Sequence, residues 1–279
     1  MHPLDGPRLK IRRAVSQISL LRDAQLALWK DSKHKVVRAE LNPKTGNYVY
    51  RAKGDFALSL DWGVSIGEIA HNLRSALDGV LYQVAIVDEA SAEALAQTEF
   101  PIFLIRYTKR RRRRRPGKGK PPLIPHFERD GREKIKGLSD EHQAMIEGLQ
   151  PYHRRSEDGA KGRTHPLYWL QQINNADKHR VIQIVGFQGS PSLGAWVGSD
   201  TDDPFQDVAI KRLRVLKNGA KVLEAPAHVV VNPSILPLVA FAEGSIGVKN
   251  RWVVGTLQRA ADTVAGIIEK FAPVFENRS

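Results

Sequence analysis

Six consecutive arginines, Arg110, Arg111, Arg112, Arg113, Arg114 and Arg115, stand near the middle of the chain and limit what it can fold into more than any other feature. Their side chains repel one another, and Pro116, Gly117, Gly119, Pro121 and Pro122 follow at once, so the stretch is expected to be an exposed, mobile loop over residues 106–122. Arg106, Lys109, Lys118 and Lys120 bring the basic residues of 106–120 to ten, with no acid among them. The formal charge of the whole chain is +13, which leaves only +3 for the other 264 residues. The basicity therefore belongs to one segment and not to the folded surface as a whole. Lys109 and Arg110 to Arg115 are the candidate polyanion contacts. Neutralising roughly six phosphates gives a salt slope near −5 on B-form DNA, enough for sequence-independent binding. The alternative is an insertion that merely stays solvated. Gly117-Lys118-Gly119-Lys120 lacks the glycine spacing and the following Ser or Thr of a phosphate-cradling loop.

On either side of that segment the chain is ordinary in composition, with 42% apolar and 26% charged residues among 279. It contains no cysteine. That excludes disulfides, thiol nucleophiles, iron–sulfur clusters and cysteine-based zinc sites. Residues 1–7 carry no apolar leader, and no apolar run approaches the roughly 18 residues of a membrane span. The expectation is a soluble cytoplasmic protein that does not engage membrane.

Apolar periodicity predicts helices over residues 9–30 and 64–87, the second with Ile66, Ile69, Leu73, Leu77, Val80, Val84 and Val87 on its buried face. A shorter helix capped by Ser139 is expected to end near Gln150. Another starts at His165-Pro166 and runs to about His179, and a last one covers 250–271, carries Trp252 on its apolar side and stops at Pro273. Residues 36–41 and 48–51 flank a hairpin loop. Runs rich in β-branched residues at 181–187, 208–216, 221–224, 228–231 and 239–241 predict strands, with a tight turn at Asn218-Gly219. The fold class is α+β: a bundle of four to five helices packed with a mainly antiparallel β-sheet. Region by region this gives a mainly helical stretch over 1–180 with the hairpin and the basic loop, a β-rich stretch over 181–248 and a C-terminal helix over 249–272. A single compact domain is the alternative.

Two helices carry polar residues that look placed. On the helix from Val64 a stripe of His71, Arg74, Ser75, Asp78 and Tyr82 is either a solvated face with an Arg74–Asp78 pair at i,i+4 or a buried polar seam, the latter because it lacks the Lys and Glu usual on a solvated face. On the helix from His165, Asn174 and Asp177 share the apolar side with Leu167, Trp169, Leu170 and Ile173, while Asn175 and His179 lie together on its flank. A carboxylate turned toward a core needs a partner. For Asp177 the first candidate is Arg74, and the next is Arg180. The same residues also suit a plain helix end at which Lys178, His179 and Arg180 complement the dipole.

The ordered set His71-Asn72-Leu73-Arg74-Ser75-Ala76-Leu77-Asp78, Phe100-Pro101-Ile102, Leu149-Gln150-Pro151-Tyr152, His165-Pro166-Leu167 and Asn175-Ala176-Asp177-Lys178-His179-Arg180 resembles a group of uncharacterised bacterial proteins that share this pattern. More distantly, the helix pair is similar to HEPN (higher eukaryote and prokaryote nucleotide-binding) bundles. Many of those are metal-independent ribonucleases or toxins, with four to six residues between an arginine and a histidine. Here Gly79 stands five positions after Arg74, and Asn174 stands where an arginine would precede His179. The resemblance therefore implies a composite site, with Arg74 and His179 catalytic and His71, Asp78, Asn174, Asn175 and Asp177 supporting. Arg74 would stabilise charge on the scissile phosphate and His179 would act as general acid or base. The attacking group would be the RNA 2′-hydroxyl, without a cofactor.

Nine histidines occur without metal-ligand spacing, so no metal is expected. Two readings follow. The first is a nucleic-acid-associated protein, with RNA as the partner of the arginine loop and a HEPN-like ribonuclease as its enzymatic form. The second is a non-catalytic binding or interaction protein whose polar helix seam is structural. Helix seams of this kind often close a dimer, so a homodimer stays open, with no separate heptad pattern to mark it.

Overall fold

The computed structural model describes residues 2–30, 36–53, 58–106, 126–153, 162–178, 185–194, 209–210, 218–227, 232–241, 247–249 and 251–276. Among them are helices α1 (Asp5–Lys30), α2 (Asp61–Val87), α3 (Ala92–Gln97), α4 (Asp140–Gly148), α5 (Pro166–Lys178), α6 (Val253–Lys270) and α7 (Ala272–Glu276). The strands are β1 (Val36–Leu41), β2 (Asn47–Lys53), β3 (Val185–Gly194), β4 (Ala209–Ile210), β5 (Lys221–Pro226) and β6 (Asn232–Phe241). The α+β class is as expected, with two more helices than the sequence suggests. Both are short. α3 forms because Ser91 accepts the Ala94 N–H as its cap and the turn is alanine-rich. The chain does not stop at Pro273 either. It re-enters helix at Ala272, with the proline in the first turn, where its missing N–H costs nothing.

The chain divides into two units: 1–17, 67–179 and 256–279 form one, and 18–66 with 180–255 form the other. The N-terminal hairpin thus groups with the later strands, a division that the region-by-region reading along the chain does not anticipate.

The second unit holds the strands. β1, β2, β5 and β4 make a four-stranded sheet in that order, and β3 pairs with β6; every pairing is antiparallel. Val49, Tyr50, Ala52, Val222, Leu223 and Ala225 are buried. The expected turn is present at Asn218-Gly219, with Gly219 at φ +79° and its N–H donated to Ala52 O on β2 at 2.8 Å. Trp252 is 56% exposed, contrary to the apolar role its spacing suggests. It lies one residue before α6 in a bridge to Ala240, outside the helical period that would have buried it.

The first unit is helical. Leu73, Leu77, Val80 and Val84 of α2, Leu167, Leu170 and Ile173 of α5, and Leu257, Val264 and Ile268 of α6 are fully buried, the periodic faces the sequence predicts. The start of α1 runs antiparallel to α2. A Cβ on Gly79 would touch Pro7, Lys10 Nζ reaches Ser75 Oγ at 2.5 Å, and Asn72 Nδ2 donates to Gln17 Oε1 at 3.2 Å. Arg8 forks onto Glu269 of α6 through Nε (3.0 Å) and Nη2 (2.7 Å).

The turn at Gly137 closes on α3, where a Cβ would stand 2.7 Å from the Ala94 Cβ. Gly148, at the end of α4, has open space at the same position. Gly137→Ala is expected to destabilise the protein by about 1–3 kcal/mol through overpacking, and Gly148→Ala to stay within about 0.5 kcal/mol of the parent, both read from urea unfolding midpoints.

Candidate nucleic-acid interface

In the helical unit, residues 99–103 run extended between α3 and the segment that leads to α4, with Phe100 fully buried and Ile102 3% exposed. Backbone groups in such a place must find partners. Two residues one turn apart on α2 supply them for Phe100. Asp78 Oδ1 accepts its N–H at 2.9 Å, and Arg74 Nη2 donates to its carbonyl at 2.5 Å. Gln150 does the same for the next stretch: its Oε1 accepts the Phe103 N–H (3.0 Å) and its Nε2 donates to Pro101 O (2.9 Å) and Ile146 O (3.1 Å).

Arg74 is 5% exposed. The same Nη2 also reaches Glu99 Oε1 at 2.7 Å and Asp78 Oδ1 at 3.1 Å, and Glu99 Oε2 accepts from Lys134 Nζ at 2.6 Å. Burial pushes the Asp78 carboxyl above its ordinary range, against the opposing pull of Arg74 and of the Phe100 N–H.

The expected pairing of Arg74 with Asp177 is therefore not what forms. α2 and α5 do meet: a Cβ on Gly67 would overlap the Asp177 carboxylate. Yet Gly67 lies two turns before Arg74, about 10 Å along the helix. Asp177 is exposed, and so is Asn175. Asn174 is 2% exposed, with no partner for Oδ1 among the described residues. His71 is on the exposed face of α2. His179 and residues 109–115 lie outside the described residues.

The residues that flank 107–125 are described, and they meet. Phe127 N donates to Ile105 O and Glu128 N to Arg106 O, both at 3.0 Å. Around this neck two arginines and two glutamates close a ring. Glu128 Oε1 and Oε2 accept from Arg106 Nε (3.0 Å) and Arg132 Nε (2.8 Å). Glu147 Oε1 and Oε2 lie 2.8 Å from Arg106 Nη2 and 2.9 Å from Arg132 Nη2. Each carboxylate thus gives one oxygen to each guanidinium, a network and not an isolated surface pair. The Arg132 guanidinium also sits 5.7 Å from the centre of the Phe127 ring, and Phe127 meets Tyr152 edge-on at 5.8 Å. Burial, then the charge of Glu147, pushes the Tyr152 phenol well above its ordinary value, so it stays protonated. The Arg132 hydrogen bond holds the Glu128 carboxyl below its usual range, and the Arg129 hydrogen bond does the same for Asp130. Glu128, Arg132 and Glu147 are not among the residues that sequence spacing singles out. The available signal was the Glu128–Arg132 step of four, acid first, just past the basic run.

Ser139, His142 and Asp88 have the composition of a nucleophile triad but not its geometry. Ser139 Oγ (3.0 Å) and Asp88 Oδ2 (2.7 Å) face the same His142 Nδ1. Asp88 Oδ2 also accepts the Ser139 N–H at 2.8 Å, and Ser139 caps α4. The group pins the start of α4 to the end of α2. Among the described residues no cluster of His, Asp and Glu has the form of a metal site, and no helix is long and apolar enough to cross a membrane. No protein family, curated protein or solved structure matches the chain.

Arg74→Ala removes the guanidinium shared by Glu99, Asp78 and the Phe100 carbonyl, leaving that carbonyl without its donor and the two carboxylates with only their remaining partners, Lys134 and the Phe100 N–H among them. The expected loss is about 2–4 kcal/mol, somewhat below a fully buried pair because both carboxylates keep partial exposure. Denaturant unfolding measures it. Glu128 and Asp130 have folded-state carboxyls below their unfolded values. Their contribution is therefore complete above the ordinary carboxylate range and is lost as pH falls through the depressed values. Glu128→Gln should lower stability at neutral pH and converge on the parent as pH falls, which flattens the acid limb of a stability–pH profile.

Proposed function

We propose that this chain is a nucleic-acid-associated protein, with RNA as the expected partner, that acts by capturing phosphates through its arginine segment and not by cleaving the strand. The observation that carries this reading is the neck. The segment 107–125 holds nine Lys and Arg and no acid, and the residues that flank it, 105–106 and 127–128, are fastened to one spot by paired backbone hydrogen bonds and a charge-balanced ring. At its base, Glu128 and Glu147 are taken up by Arg106 and Arg132.

The commitment of Arg74 supports the non-catalytic form. A guanidinium held by Glu99, Asp78 and the Phe100 carbonyl is a core cross-link, and charge stabilisation at a scissile phosphate would require it to leave those partners. The polar residues of α2 then serve the fold, and capture of polyanions is the remaining activity that the composition favours.

Two experiments decide. Binding of a single-stranded RNA across a salt series is expected to give a log–log slope near −5 if the seven charges of 109–115 each meet a phosphate (~0.7 per contact). Replacing 107–125 by a short Gly-Ser link should remove most of that slope and keep the unfolding midpoint close to the parent, because the neck residues stay paired. An unchanged slope would show that the segment is not the contact. In the second experiment, the full chain is incubated with the same RNA and a chelator. Intact RNA is the expected result, whereas cleavage lost in His179→Ala would restore the ribonuclease reading.

A further inference from the structure

A cleft of about 400 Å³ opens within the helical unit, between one face of α6 and the end of α4 with the turns beyond it. Asp262, Gly266 and Lys270 recur every four residues on α6, so they form one row. The facing wall includes Gln150, His153 and His165. None of these residues belongs to the neck ring, and of them Gln150 alone bonds the 99–103 stretch that Arg74 also holds.

The cleft is built, not incidental. Gln150, 2% exposed, is locked in place by three hydrogen bonds, and Ile267, 4% exposed, provides an apolar floor. His153 Nε2 donates to Glu147 O at 2.9 Å, which leaves Nδ1 as a second polar atom, cationic when protonated. His165 caps α5: its Nδ1 accepts the Leu167 N–H at 3.2 Å, so the proton of the neutral ring sits on Nε2. Lys270 makes no ion pair with a described residue. Asp262 uses one carboxylate oxygen on Gln258 Nε2, at 2.9 Å, and has no cationic partner among the described residues. The row thus carries a carboxylate at one end and an ammonium at the other, about 12 Å apart along the axis. At Gly266, between them, the space a side chain would take is open.

The volume falls within the range of small-molecule sites, roughly 300–1,000 Å³. From the charge layout and the glycine gap, we infer that the cleft binds a small phosphomonoester with a hydroxyl-bearing ring, of nucleoside monophosphate size. The phosphate meets Lys270 in a charge-assisted contact on the side of the cleft that His153 lines. The Asp262 carboxylate accepts from ligand hydroxyls, and the apolar body lies over Ile267 and the bare backbone at Gly266. This site is separate from phosphate capture by the arginine segment and does not depend on it.

The test is calorimetry on the full chain with adenosine 5′-monophosphate, adenosine and inorganic phosphate, at ionic strength high enough to suppress the arginine segment. Saturable binding of the monophosphate is expected, about tenfold or more tighter than either fragment. Lys270→Gln should weaken the monophosphate by about tenfold and leave adenosine unchanged. Asp262→Asn should weaken adenosine and the monophosphate together, sparing phosphate. Gly266→Leu fills open space in a helix, so the unfolding midpoint should hold or rise while monophosphate binding is lost. The RNA salt slope of this variant should equal the parent's, which separates failure here from failure of the capture reading. Absence of saturable binding, phosphate binding as tight as the monophosphate, or binding undiminished in Gly266→Leu would each overturn the assignment.

Discussion

An extended stretch of backbone in a helical core has no neighbouring strand to bond with, and the helical unit is organised around satisfying one. Residues 99–103 bring Phe100 and Ile102 inside, and the polar groups between them would each cost about 1–3 kcal/mol if left bare. Helices cannot lend their own backbone groups to a neighbour. Glu99 N–H reaches the Lys134 carbonyl, and beyond it the partners are side chains long enough to reach across: Asp78 and Arg74 from α2, and Gln150 just past α4. Once Arg74 is buried for this purpose its charge needs balancing, which brings in Glu99 and then Lys134. The polar cluster follows from a packing decision about two apolar residues.

The neck of the basic segment obeys the same rule under a different load. Nine like charges returning to their point of origin repel, but the entropic cost of closing a longer loop rises only slowly with length. Closure therefore needs a firm base more than a short path. Two backbone hydrogen bonds set that base, and the Arg106–Glu128–Arg132–Glu147 ring holds it with no net charge of its own. α4 supplies Glu147, so the helix whose end carries Gln150 toward 99–103 also holds the neck. Ser139, His142 and Asp88 fix the other end of that helix to α2. A short helix of modest apolar content is thus held by polar contacts at both ends.

The long helices were legible because a 3.6-residue apolar period over more than a dozen residues has no other stable solution. α3 and α7, at six and five residues, are too short to show a period. Helical phase put Asp177 on the core side of α5, whereas it lies over Gly67 of α2 and stays exposed. What phase does not carry is the offset along the axis, and so it assigned Arg74 to a carboxylate that stands two turns away at Gly67. The real partner, Glu99, lies outside any helix, where periodicity has nothing to say. The ring at the neck was illegible for a related reason, since Arg106, Glu128 and Glu147 come together only after the chain has closed the basic segment.

These observations bear on the residue set that carries the resemblance. Arg74 and Asp78, Phe100 and Pro101, and Gln150 are the members of one hydrogen-bond network around 99–103; His165 caps α5, and Asp177 lies over Gly67. Residues tied to one another in this way are constrained together by folding, whatever reaction or partner the protein serves. A resemblance carried by them speaks to the scaffold. Function is better sought where polar groups have not been consumed by the fold. Among the described residues one such place is the face of α6 where Asp262 and Lys270 stand on either side of Gly266; in the sequence it is the acid-free arginine segment.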